Sequence, residues 1–177
     1  YETETRETIE SILKSGDVFV DLGANIGFFT LLAARLVGPE GRVFAFEPTP
    51  STREFLVKNI LENDYINRVV IEDYANSDRR GKAKFSITPL SVCNSINVGE
   101  AVAGEGEIEI KTISLDEYFR EKTVKKIDLI KMDIEGQELA AIRGMEKING
   151  VNPGIKIIFE YHQENVKKNN LTSIEFF

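Results

Sequence analysis

Val18-Phe-Val-Asp-Leu-Gly-Ala-Asn-Ile-Gly27 decides the fold of this chain. An apolar run, Val18 to Val20, ends in Asp21, turns through Gly23 and Gly27, and enters an apolar helix. A strand, a glycine loop and a helix start, in that order, make a nucleotide-type pocket. Without a Cβ, Gly23 and Gly27 are expected to let the backbone pass close to a ligand. The new helix N-terminus offers unpaired N–H groups to a negatively charged ligand group.

Outward from this loop the pattern continues. Asp17–Leu22 reads as the first strand and Ile26–Leu36 as the first helix, stopped by Gly38-Pro39. Arg42–Glu47 is the second strand, broken by Pro48 and Pro50. Ser51 is expected to cap the next helix, with Glu54 in the capping-box position and an end near Glu62. Arg68–Asp73 is the third strand. This alternation predicts an α/β fold with a doubly wound, mostly parallel, Rossmann-like sheet flanked by helices.

Lys82–Ile87 and Glu107–Ile113 each alternate apolar and polar residues, which predicts an inserted β-hairpin after the third strand. Between them, Thr88–Gly106 shows no period, and a loop that long in a compact domain is either functional or disordered. Ser114–Arg120 reads as a short helix capped by Ser114 with Glu117 in the capping box. Ile127–Met132 is a fourth, buried strand, followed by a helix over Gln137–Arg143 closed by Gly144. Ile155–Tyr161 is the fifth strand, and His162–Phe177 looks like the polar start of another helix.

Composition narrows the functional classes. The 177 residues suit a single domain with a sizeable core. A net charge of -7 argues against a general nucleic-acid binder, which needs clustered Lys and Arg. The single cysteine, Cys93, cannot form an internal disulfide, and no apolar stretch approaches the roughly 20 residues of a membrane span. Cytoplasmic residence is the expectation.

Ligands of an open parallel sheet bind beyond the carboxyl ends of its strands. Those ends here carry Asp21, Glu47, Asp73, Asp133 and Glu160. Like charges converging on one rim are costly unless a ligand or hydrogen bonds compensate. Glu47 stands 20 residues beyond Gly27, where a carboxylate accepts hydrogen bonds from both hydroxyls of a ribose. The glycine spacing lacks the middle glycine of G-x-G-x-x-G, and no Gly-Lys-Ser/Thr follows. A ligand with ribose and adenine but no pyrophosphate fits this loop better than a dinucleotide.

Val20-Asp-Leu-Gly-Ala-Asn-Ile-Gly27 resembles motif I of class I S-adenosylmethionine-dependent methyltransferases. Phe44-Ala-Phe-Glu-Pro48, the Ala75-Asn-Ser-Asp78 turn and Ile127-Asp-Leu-Ile-Lys-Met-Asp-Ile-Glu-Gly136 are together similar to the FkbM family within that class. Leu115-Asp-Glu-Tyr118 and Ile158-Phe-Glu-Tyr-His162 continue the likeness. The resemblance implies that Asp21, Gly23, Ala24, Asn25 and Gly27 hold the methionine part of S-adenosylmethionine. It places Glu47 at the ribose, Asp73 and Tyr74 by the adenine, and Asp133 beside the sulfonium and methyl group. Class I methyltransferases carry two further strands after the fifth. The resemblance therefore implies either a domain short of its C-terminal strands or one in which Lys82–Ile113 supplies extra strands and the edge stays open, and an exposed edge permits a homodimer by strand pairing.

Methyl transfer is an in-line attack on an activated carbon, so the protein aligns reactants and deprotonates a hydroxyl acceptor. Asp133, Glu135 and His162 are the candidates for that chemistry, His162 because imidazole titrates near neutrality. A magnesium site from Asp133, Glu160 and His162 is conceivable, but the spacing does not demand it, and no metal is expected. The reading is O-methylation of a small molecule or sugar. An NAD(P)-dependent oxidoreductase and a non-catalytic cofactor-binding module are the competing readings.

Overall fold

The computed structural model describes residues 2–87, 106–134 and 136–159. Its elements are α1 (Thr3–Ile12), β1 (Val18–Leu22), α2 (Phe28–Val37), β2 (Arg42–Phe46), α3 (Pro50–Glu62), β3 (Val69–Glu72) and β4 (Tyr74–Asn76). There follow β5 (Gly81–Ile87), β6 (Gly106–Ile113), α4 (Leu115–Lys122), β7 (Leu129–Met132), α5 (Glu138–Arg143), α6 (Glu146–Val151) and β8 (Lys156–Phe159). Among the described residues no helix is long and apolar enough to cross a membrane.

β1 lies at the centre of a five-stranded sheet of order β3-β2-β1-β7-β8, parallel throughout. Its near-continuous apolar run follows from burial on both faces, as parallel sheets require. Alternation sends Phe19, Val43, Ala45 and Leu129 to a cluster with Ile9, Phe29, Ala33, Leu56 and Ile60 of α1, α2 and α3. Val20, Leu22, Phe44, Phe46, Ile130 and Met132 pack on the other face against Leu115, Tyr118, Phe119, Ala141 and Ile148. Helices thus cover both faces, as the doubly wound pattern predicts.

The inserted hairpin is present. β5 and β6 pair antiparallel with Lys84 opposite Glu109, and the Lys82 ammonium lies 2.6 Å from the Glu109 carboxylate. The expected turn over Ala75–Asp78 is corrected: Tyr74–Asn76 is a strand, pairing parallel with β6 to complete a second sheet of order β4-β6-β5. The expected loop after Ile87 and the segment from Glu160 onward lie outside the described residues, save Gly106, which opens β6.

Two helix starts differ from expectation. Gly27, at φ +99°, is the N-cap of α2, so the helix begins at Phe28 and not at Ile26. Ser51 does not cap α3; Thr49 occupies the N-cap position and Pro50 begins the helix. A proline preset at helical φ and lacking the N–H that would go unsatisfied makes a good first residue. Helices α1 and α6 were outside the expected elements: α1 buries only Ile9 among its residues, and α6 spans six residues, too short for a period.

Ser114 caps α4 as expected, its Oγ accepting the Glu117 N–H at 3.2 Å. Ser114→Ala should therefore lower stability by about 1 kcal/mol, the usual worth of such a cap, in urea unfolding followed by circular dichroism. A change within error would show that the cap bond contributes nothing.

Candidate functional site

The chain leaves β1 toward β2 and β3 on one side, and reaches β7 and β8 on the other. In sheets of this order the ligand position is the crevice outside the carboxyl ends where the order reverses, here between β1 and β7. The glycine loop after β1, the turn after β2 and the start of the β7–α5 connection converge there. Gly23 N–H and Ala24 N–H both donate to the Phe46 carbonyl, at 3.1 and 3.0 Å. Asn25 N–H donates to Glu47 Oε2 at 3.0 Å, and Gly27 N–H to the Ala24 carbonyl at 2.9 Å.

Packing within the protein adds a second reason for the glycines. The amides of Gly23, Ala24, Asn25 and Gly27 hold the loop to β2 and to itself. The space a Cβ would take at Gly23 (φ +76°) is filled by the Asp133 backbone carbonyl. At Gly27 a Cβ would lie 2.6 Å from Leu56 Cδ1 of α3. Both glycines are therefore required by close packing within the protein and by left-handed backbone. Asn25, at φ +52°, takes the same conformation, which asparagine tolerates better than other residues with a Cβ.

Glu47 follows β2 and is buried, 6% exposed. Its Oε2 accepts from Asn25 N–H and its Oε1 from Thr49 N–H at 2.8 Å, while Arg53 Nη1 donates to the Glu47 and Pro48 carbonyls. The carboxylate thus ties the glycine loop to the start of α3. Burial pushes the Glu47 carboxyl above the ordinary carboxylate range, against the opposing pull of the Thr49 and Asn25 bonds and the Arg53 charge.

Asp21 is not at the rim. It lies inside β1 with no exposure, and its Oδ2 accepts the Thr30 hydroxyl of α2 at 2.7 Å. Its Oδ1 has no hydrogen bond, but Lys131 Nζ of β7 lies 3.5 Å away. The same ammonium stands 3.6 Å from Asp133 Oδ2 and 5.0 Å from the centre of the Phe29 ring. Burial alone would draw the Lys131 ammonium toward neutrality. The charges of Asp21, Asp133 and Glu2 outweigh it, and the group titrates above an ordinary lysine.

Asp133, directly after β7, keeps 36% of its side chain exposed, and its N–H donates to the Leu22 carbonyl. Asp73 joins β3 to β4 and pairs with Lys111 Nζ at 2.9 Å. The Tyr74 ring beside it is flanked by Arg80 and Lys111. Glu135, Glu160 and His162 lie outside the described residues. Among the described residues no group of three or more His, Cys, Asp or Glu could hold a metal ion.

The sequence argument from crowded carboxylates is thereby sharpened. Each described acid of the set has a partner within the protein: Lys131 for Asp21 and Asp133, two amides for Glu47, Lys111 for Asp73. Lys131 was missed, and one signal would have found it: a lysine in the middle of a strand read as buried needs a carboxylate nearby.

The sequence model described as the methyltransferase FkbM domain matches residues 21–175. The hexuronic acid methyltransferase AglP of Haloferax volcanii is 34% identical over 82% of this chain and 56% of its own length. The 31-O-demethyl-FK506 methyltransferase FkbM of Streptomyces tacrolimicus is 29% identical over 76% of this chain and 61% of its own. The chain therefore spans less than two thirds of these relatives. A crystal structure of methyltransferase FkbM from Methylobacillus flagellatus superposes with a TM-score of 0.52 at 16% identity, over 81% of this chain and 36% of that one, which supports the fold.

Proposed function

The chain belongs to the FkbM methyltransferase family, and from that premise we propose that it transfers a methyl group from S-adenosylmethionine to a hydroxyl oxygen of a small molecule or sugar. The observation that carries this reading is the Glu47 carboxylate. It is buried, each oxygen is fixed by one amide, and each retains a second lone pair. Two such acceptors side by side suit the vicinal hydroxyls of a ribose.

The remaining residues fit the same cofactor. Asp133 is partly exposed and negative at the crevice, where a sulfonium and an ammonium would be favoured. Asp21 adds a buried carboxylate oxygen without a hydrogen bond beneath the loop. Asp73 and Tyr74 border the side assigned to the adenine, and Gly23 to Gly27 set the level at which the methionine part lies. S-adenosylmethionine, when bound, supplies an already activated methyl carbon.

What the chain contributes is alignment. Glu47 and the loop it anchors would hold the ribose and methionine ends of the cofactor, with Asp133 as the carboxylate assigned to the side of the methyl group. Removal of the acceptor's hydroxyl proton is assigned on the strength of the sequence to His162, with Asp133 and Glu135 as the other candidates.

Calorimetry with S-adenosylmethionine, S-adenosylhomocysteine and NAD tests the cofactor. The first two are expected to bind and NAD is not; NAD binding without S-adenosylmethionine binding would make the oxidoreductase the better reading. Transfer of label from S-adenosylmethionine to a panel of sugars, alcohols and amines then tests the acceptor. Label on amines alone would overturn the assignment to oxygen. Cofactor binding with no transfer to any member would favour a non-catalytic module.

A further inference from the structure

We propose that Lys131 is a positioning residue of the methyl-transfer site, holding the Asp133 carboxylate at the crevice from beneath the glycine loop. The proposal rests on the reading that the cofactor binds at this crevice. Strand alternation places Lys131 with Leu129 on the α2 face of β7, inside a strand whose four residues are all buried. The ammonium lies against the Phe29 ring and is out of water, 4% exposed.

A buried charge of this kind gives little net stability. An apolar side chain of similar length would fill the slot without the desolvation cost. The geometry points instead to what the charge spans. Asp21 is the fixed end: its Oδ2 is bound by Thr30 at 2.7 Å and it is fully buried. Asp133 is the less fixed end, partly exposed, with the ammonium 3.6 Å away as its side-chain partner among the described residues. Lys131 joins the two, and so links the first turn of α2 to the carboxylate nearest the expected methyl group.

Charge supports the same role. Asp21 and Asp133 with Lys131 sum to one net negative charge. S-adenosylmethionine carries one net positive charge, and its product carries none. Neutralising Lys131 would increase the negative charge facing the cofactor but leave Asp133 unheld and repelled by Asp21, so weaker binding in its absence reports lost position and not lost attraction.

The test begins with binding of S-adenosylmethionine to the wild-type chain. Failure there would sink the cofactor reading itself, before Lys131 is at issue. Given binding, Lys131→Met should weaken it about tenfold, within the range found for coupled neighbours. Lys131→Arg, which keeps the charge, should weaken it less. In an Asp133→Asn background the further loss from Lys131→Met should vanish. An equal loss in both backgrounds would overturn the proposal, because a merely structural lysine costs the same whether or not Asp133 is charged.

A second readout does not require Lys131→Met to fold. Among the described residues the charged groups around the ammonium are Asp21 from β1, Asp133 after β7 and Glu2 before α1; Phe29 and Thr30 of α2 are uncharged. Carbon-detected NMR titration of the Lys131 side chain should show its pKa falling in Asp133→Asn relative to wild type. An unchanged pKa would mean that the two groups are not coupled, and the proposal would fail.

Discussion

Gly23→Ala is expected to cost about 2–5 kcal/mol of folding stability. Two costs add. A residue with a Cβ at φ +76° pays roughly 1–2 kcal/mol for the left-handed backbone. The new methyl also overlaps the Asp133 carbonyl, which is held because Asp133 N–H is bonded to the Leu22 carbonyl and Asp133 directly follows β7, an interior strand paired on both sides. Overpacking of this kind adds about 1–3 kcal/mol. Two other glycines separate the terms. Gly16 has φ +90° and nothing near the Cβ position, so Gly16→Ala reports the backbone cost alone. Gly27→Ala meets the flexible end of Leu56 and should fall between the two. Urea unfolding of the three variants gives the order, and a Gly23→Ala no worse than Gly16→Ala would show that the β1–β7 contact is looser than described.

Why some of this was legible and some was not follows from the range of each signal. The glycine loop, the parallel strands and the hairpin are written in local periods and breakers, and these appear where expected. The cap at Ser114 is likewise a contact over three residues. What the pattern could not show is what the glycines face. The pressure on Gly23 comes from Asp133, across the reversal of strand order, and no local rule connects positions so far apart. The same holds for the rim. Read along the chain, Asp21, Glu47, Asp73 and Asp133 look like uncompensated charge. In space, the compensation comes from Lys131, Lys111 and the amides of Asn25 and Thr49, contributed by other segments. Asp21 also looked like a strand tip because Leu22 after it is apolar and the glycine follows. The pairing of Leu22 with Phe46 keeps Asp21 one residue inside the strand.

Glu47→Gln should weaken S-adenosylmethionine about as much as Glu47→Ala, by about 1–3 kcal/mol or some 5- to 150-fold. The reason is that glutamine is not a conservative change here. Both Glu47 oxygens accept backbone N–H groups, from Asn25 and Thr49, and an amide NH₂ in place of either oxygen would set donor against donor. Either variant therefore loosens the glycine loop as well as the proposed ribose contact. The pH dependence distinguishes the two roles. Burial raises the Glu47 pKa above its ordinary 4.5. A carboxyl with a raised folded pKa contributes stability that is present below its unfolded pKa and lost as pH rises through the folded one. Cofactor binding has the opposite sign, because only the ionised carboxylate can accept two amides and two ribose hydroxyls at once. From pH 4.5 upward, then, wild type minus Glu47→Gln should show apo stability falling while S-adenosylhomocysteine affinity climbs, measured by urea unfolding and calorimetry. If affinity and stability move together, Glu47 serves the loop alone and the ribose lies elsewhere.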